Sequence, residues 1–135
     1  MNILGFSREK LKEREALYTA AEIYGQPAVL RKVYDKIMGQ KQTIQDFLSE
    51  ALSNEKLQIV LTGAGSSAFI GLSLHGVFLR YFKKSISTIS TTDLVTHPFD
   101  YLSEDMPVLL ISFARSGNSP ESVAAAAIAD QICTR

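Results

Sequence analysis

Two short stretches gather residues able to hold an anion without a lysine. The first is Gly63-Ala64-Gly65-Ser66-Ser67-Ala68. Its glycines let the backbone turn tightly and approach a ligand, and Ser66 and Ser67 add hydroxyl donors. The second is Ala114-Arg115-Ser116-Gly117-Asn118-Ser119, leading into Pro120-Glu121-Ser122. Ser116, Asn118 and Ser119 can face one small anion, helped by backbone N–H groups around Gly117 that form a nest. Together the two stretches describe a pocket for a terminal phosphate, lined with neutral hydroxyls. Each alone has a plainer reading. The first can be a tight turn closed by a serine cap. The second can be turn chemistry with Ser119 as N-cap and Pro120 in the first helical position. The pair is more specific than either stretch.

Other chemistries fit less well. Neither stretch contains lysine, whereas an ATP-binding P-loop needs Gly-Lys-Ser/Thr. Residues 63–68 match the loose dinucleotide fingerprint G-x-G-x-x-G/A, which expects an acid ~20 positions later. The nearest acid, Asp93, lies beyond that point. No G-x-S-x-G elbow supports a nucleophilic serine. Of the two histidines, His75 falls inside a helical pattern and reads as a polar surface residue. His97, before Pro98, is a candidate for sugar contact. The single cysteine, Cys133, excludes an internal disulfide and a Cys-rich zinc site, and reads as a small hydrophobe. Neither a metal nor a cofactor is expected.

Both stretches must be presented by a regular scaffold. Leu57–Thr62, Ser85–Thr91 and Met106–Phe113 read as strands. Residues 68–82 and Pro120–Ile132 show helical spacing, and 92–98 reads as a loop with at most a helical turn. Each candidate loop therefore sits at the carboxyl end of a strand and the start of a helix. Ligands bind there in open parallel sheets, where free helix N–H groups suit an anion. Ahead of the first strand, residues 1–18 read as a solvated helix or arm. Thr19-Ala20-Ala21-Glu22 matches a capping box for a helix ending near Gly25, with Pro27 opening the next. Leu30, Val33, Ile37, Ile44, Phe47, Leu48 and Leu52 then form an apolar stripe assigned to packing, which Gly39 can divide. The expected class is α/β, a doubly wound parallel sheet in three layers preceded by helices. The division falls at 1–55 and 56–135.

Fourteen basic residues balance fourteen acidic ones over 135 residues. A neutral chain offers no electrostatic footprint for nucleic acid or an anionic membrane. No apolar run approaches the ~20 residues of a membrane span, and the N-terminus turns charged too early for a signal peptide. The expected location is the cytoplasm.

The two loops resemble the sugar isomerase (SIS) domain family, which binds phosphosugars through G-x-G-x-S and S-x-S-G-x-T/S turns. Here these read G-A-G-S-S at 63–67 and A-R-S-G-N-S at 114–119. The stretches LTGAGSSAFIG, TTDLVTHPFDYL and LLISFARSGNSPESVAA are similar to its AgaS branch of ketose/aldose isomerases and amino-sugar-phosphate deaminases. EIYGQP at 22–27 resembles the E-I-x-x-Q-P start of the isomerase half of glucosamine-6-phosphate synthase. The resemblance implies phosphosugar contacts from Gly65, Ser66, Ser67, Ser116, Gly117, Asn118 and Ser119. It also points to Thr92 and Asp93 at the end of the second strand. Ala114 replaces the first serine of the second motif. Arg115 either supplies charge in its place or points to solvent.

The implied reaction is aldose–ketose isomerisation or deamination of a 6-phospho hexose or hexosamine, which needs a positioned base. No residue here is assigned that role; in related two-domain members it lies in a second SIS half. A non-catalytic phosphosugar-binding module is the alternative, and a dinucleotide-binding oxidoreductase fits less. A doubly wound sheet usually has ~5–6 strands, whereas three are visible, and the chain stops at Ile132-Cys133-Thr134-Arg135. The expectation is the front part of a longer SIS protein. Its partners would be a small phosphosugar and either further copies of itself or the remainder of that protein.

Overall fold

A computed structural model describes residues 2–133. They form two compact units that meet in sequence between Phe47 and Leu48.

The second unit is built on an apolar, partly β-branched run. Strand β1 (Gln58–Gly63) is flanked on both sides by parallel partners, β2 (Ser85–Ser90) and β3 (Val108–Phe113), in the order β2-β1-β3. The register runs from Gln58 opposite Ser85 and Val108 to Gly63 opposite Ser90 and Phe113. All three strands therefore end at one level. As the central strand, β1 is buried from Ile59 onward.

Alternation along β1 directs its side chains into two cores. Ile59 and Leu61 join Leu57, Ile86 and the inner face of α4 (Ala68–Phe82), including Leu74, Phe78 and Phe82. Val60 joins Ile89 on the other face, with Leu94 of α5 (Thr91–Thr96) and Ala125 and Ala129 of α6 (Pro120–Ile132). The unit is thus three-layered, with helices on both faces of a parallel sheet. Helix α4 lies close on its face. A Cβ on Gly71 would stand 3.0 Å from Thr88 Cγ2 and 3.2 Å from Leu61 Cβ.

Two sequence expectations need correction here. His75 is not a free surface residue: it is half-buried on α4, and its Nδ1 lies 3.1 Å from Thr88 Oγ1 on β2. Residues 91–96 are a short helix, not a loop. Ser90 caps it by accepting from the Asp93 N–H, and Leu94 anchors it in the core.

The first unit holds α1 (Arg8–Glu13), capped by Ser7, and α2 (Leu17–Gly39). The helix α3 (Lys41–Ser53) begins in this unit and ends in the second. Gly39 does close α2, but the expected break between Gly25 and Pro27 is absent. Thr19 lies inside the helix and caps nothing. Pro27 removes one N–H, and the helix runs on through that gap into the better helix formers Ala28, Leu30, Arg31 and Lys32. Helix α6 ends at Ile132, and Thr134 and Arg135 lie outside the described residues. No helix among the described residues is long and apolar enough to cross a membrane.

Candidate functional site

The strand order creates a crevice. From β1 the chain enters α4 on one face of the sheet, and from the adjacent β3 it enters α6 on the other. The loops after β1 and β3 therefore part in opposite directions at neighbouring strand ends. Open α/β sheets bind ligands at this topological switch point. The register sets Gly63 opposite Phe113, so both candidate loops leave the sheet at the same level.

The first loop is tightly folded and leaves its hydroxyls uncommitted. A Cβ on Gly63 would lie 2.7 Å from the backbone carbon of Ser67, so only glycine allows the chain to return over the strand end. Gly65 takes φ +54° and begins a 3-10 turn, Gly65–Ser67, that runs into α4. The turn is closed by the Ser67 N–H donating to the Ala64 carbonyl at 3.1 Å. Ser67 makes no side-chain cap on α4. The serine-cap reading of this loop is therefore wrong. Ser66 is exposed and Ser67 half-buried. Both hydroxyls are free for a ligand at the positive end of a fifteen-residue helix.

The second loop is organised differently. Ser119 caps α6: its Oγ accepts from the Ser122 N–H at 3.3 Å and donates to Ser122 Oγ at 2.9 Å. Ser116 Oγ accepts from the Asn118 N–H at 3.3 Å, which curls the loop around Gly117 at φ +71°. Residues 114–118 are exposed. Arg115 is the cation of this loop, and Glu121 in the first turn of α6 already complements the helix dipole. An anion here would meet backbone N–H groups, the Ser116 hydroxyl and the Asn118 amide. The Ser119 hydroxyl is engaged by the cap.

Comparison with known proteins agrees with this fold. The SIS domain model matches residues 51–131. The chain belongs to the SIS domain family. It is 45% identical over 129 residues to the D-galactosamine-6-phosphate deaminase AgaS of Shewanella sp. (strain ANA-3), covering 93% of this chain and 33% of that protein. A structure of tagatose-6-phosphate ketose/aldose isomerase from Escherichia coli superposes with a TM-score of 0.81 at 45% identity. It covers 86% of this chain and 32% of its own. A Clostridium novyi NT structure, provisionally assigned to the same isomerases, superposes at 0.91 with 46% identity, covering 99% and 34%. This SIS chain thus spans about a third of the length of the relatives it matches.

Around the two SIS loops, the third strand end contributes selectively. Ser90 ends β2 opposite Gly63, and its hydroxyl lies 2.8 Å from Thr92 Oγ1. Thr92 and Asp93 lie in the opening turn of α5, which follows a strand end level with that of β1. His97 does not join them. It follows the C-terminal end of α5, about 9 Å further along a six-residue helix. There its Nδ1 pairs with Thr96 Oγ1 at 2.9 Å.

Several residues of this end of the sheet escape the motif reading. Gly63 is the steric hinge of the first loop, signalled only by its place in Gly-Ala-Gly. Ser90 joins through its cap, and Ser122 is buried beneath Ser119. Thr62 and Thr91 bury their side chains at 1% and 0% exposure with no hydrogen-bond partner for either hydroxyl. Nothing in their local sequence distinguishes them from strand threonines. Among the described residues no group of three or more His, Cys, Asp or Glu could hold a metal ion. Cys133, half-buried at the end of α6, packs against the α6 core, and burial pushes its thiol above the ordinary range.

Proposed function

We propose that this chain is the phosphate-binding part of a sugar-phosphate isomerase or deaminase acting on a 6-phospho hexose or hexosamine. The observation that carries the reading is the pair of serine–glycine loops at one switch point. Gly63 can be nothing else, Ser66 and Ser67 hold free hydroxyls, and Ser116 shapes a glycine nest beside them. The names of the similar proteins, a galactosamine-6-phosphate deaminase and tagatose-6-phosphate isomerases, support that substrate class.

In this role the chain binds and orients. The phosphate, remote from C1 and C2, is gripped by hydroxyls and backbone N–H groups, so the reacting carbons are held in a defined position. Isomerisation then needs a base to move a proton between C1 and C2. The two loops consist of Gly, Ala, Ser, Asn and one Arg, none of which serves as that base at neutral pH. Proton transfer accordingly falls to residues outside the two loops.

Calorimetric titration with galactosamine-6-phosphate, tagatose-6-phosphate and NAD tests the reading. Binding of either sugar phosphate, with NAD silent, is the expected result. NAD binding without sugar-phosphate binding would overturn it. The structure favours the first outcome, because β2 ends in Ser90, where a dinucleotide site would place its ribose-binding acid.

A further inference from the structure

Ser119 opens α6, and its one hydroxyl hydrogen is already committed. Its Oγ accepts from the Ser122 N–H at 3.3 Å, the ordinary duty of a cap. The same Oγ donates to Ser122 Oγ at 2.9 Å. In a capping box the third helical residue is Glu or Gln and reaches back to the backbone of the cap. Here that residue is Ser122, buried at 7% exposure, and it takes the hydrogen of the cap instead. A serine hydroxyl has one hydrogen and two lone pairs. With both bonds made, Ser119 keeps one lone pair and no hydrogen for a ligand.

The opening turn of α6 makes that hydrogen matter. Pro120 has no N–H, the Ser122 N–H serves the cap, and the Val123 N–H donates to the Ser119 carbonyl at 3.1 Å. Among these first four residues of α6, Glu121 alone keeps an N–H for an anion. The α4 end differs, because Ser67 makes no cap bond. The two loops therefore carry serines at matching places with opposite availability of the hydroxyl hydrogen.

We propose that Ser122 is a positioning residue that lowers the affinity of the phosphate site by holding the hydrogen of Ser119. This inference rests on the phosphate-site reading given above. A phosphate oxygen at the second loop either goes without that donor or breaks the Ser119–Ser122 bond to obtain it. Removing the Ser122 oxygen releases the hydrogen. The cap persists, because the backbone N–H of residue 122 remains. The gain equals the worth of one neutral hydrogen bond, about two- to tenfold in affinity.

Titration calorimetry of the 135-residue chain with galactosamine-6-phosphate and with inorganic phosphate tests it. Ser122→Ala should bind both about two- to tenfold more tightly than wild type, with an unchanged far-UV circular dichroism spectrum. Ser122→Cys, close to serine in size but a weak acceptor, should tighten binding in the same sense. Ser122→Thr keeps the acceptor oxygen and should bind like wild type. The gain from Ser122→Ala should vanish in a Ser119→Ala background, where there is no hydrogen to release. Unchanged or weaker binding by the Ala and Cys variants would overturn this inference alone. So would a gain that survives Ser119→Ala, or one that Ser122→Thr shares. Binding of neither ligand by the wild-type chain would overturn the phosphate-site reading and this inference with it.

Discussion

Ser67 and Ser119 stand at the heads of two helices on adjacent strands, and their hydroxyls have different obligations. Ser119 satisfies the first turn of α6, so Ser119→Ala should cost about 0.5–2 kcal/mol of stability, read from the urea midpoint. Ser67 makes no such bond. Ser67→Ala should leave stability within about 0.5 kcal/mol, yet weaken sugar-phosphate binding by ~1–3 kcal/mol, the worth of a hydrogen bond to a charged group. Titration calorimetry beside denaturation separates the two effects, and a Ser67 variant that binds normally would remove that residue from the site. Gly63 allows a third comparison. An added methyl there meets backbone at 2.7 Å, so Gly63→Ala should destabilise by about 1–3 kcal/mol and loosen the first loop. Gly76, inside α4, is the control, since a methyl added there meets nothing within 4 Å. Gly76→Ala should stabilise by up to about 1 kcal/mol through helix propensity.

At the level of elements, α2 and α5 separate what local pattern can convey from what tertiary context decides. Strands β1 and β3 and helices α4 and α6 were legible as apolar segments closed by Gly, Ser, Lys or Pro punctuation, and β2, Ser-Ile-Ser-Thr-Ile-Ser, from its β-branched residues among serines. The two candidate loops were legible for the same reason, since turn residues and phosphate ligands share a chemistry. The continuity of α2 was not. Pro27 and Gly25 are strong local stop signals, and only the summed preference of the surrounding turns overrides them. Helix α5 was hidden because Thr91, Thr92, Val95 and Thr96 favour extended backbone. The cap from Ser90 and the burial of Leu94 reverse that preference, and both depend on where β2 ends. The orphaned hydroxyls of Thr62 and Thr91 are equally tertiary, since their burial at 1% and 0% exposure is set by where β1 and the start of α5 lie in the fold. Pro27 also carries a prediction. It lies in a helix interior and leaves the Ile23 carbonyl without its N–H. Pro27→Ala restores that bond and should stabilise α2 by ~1–3 kcal/mol, visible as a higher melting temperature by far-UV circular dichroism. An unchanged melt would mean that α2 is insensitive to the missing bond.

For the molecule as a whole, the balance of charge determines how the proposed site should respond to solution conditions. With fourteen basic and fourteen acidic residues there is no long-range field to draw in a phosphate dianion. Attraction must come from what the ligand touches: hydroxyls, backbone N–H groups and the ends of α4 and α6. These dipoles act at contact distance, well inside the ~10 Å over which 0.1 M salt screens charges. Arg115 is exposed and contributes the one strongly screened interaction of the two loops. Sugar-phosphate affinity should therefore fall only about threefold or less between 0.05 and 0.5 M sodium chloride, and Arg115→Ala should abolish most of that fall. The pH response follows the ligand. A phosphate monoester loses its second proton near pH ~6, and the dianion accepts more strongly from N–H and O–H donors. Affinity should climb from pH 5 to pH 7 and then level off, since no residue of the two loops changes charge in that range. A steep salt dependence, or a continued rise above pH 7, would place charged protein groups in the site and displace the hydroxyl-lined crevice as its chemistry.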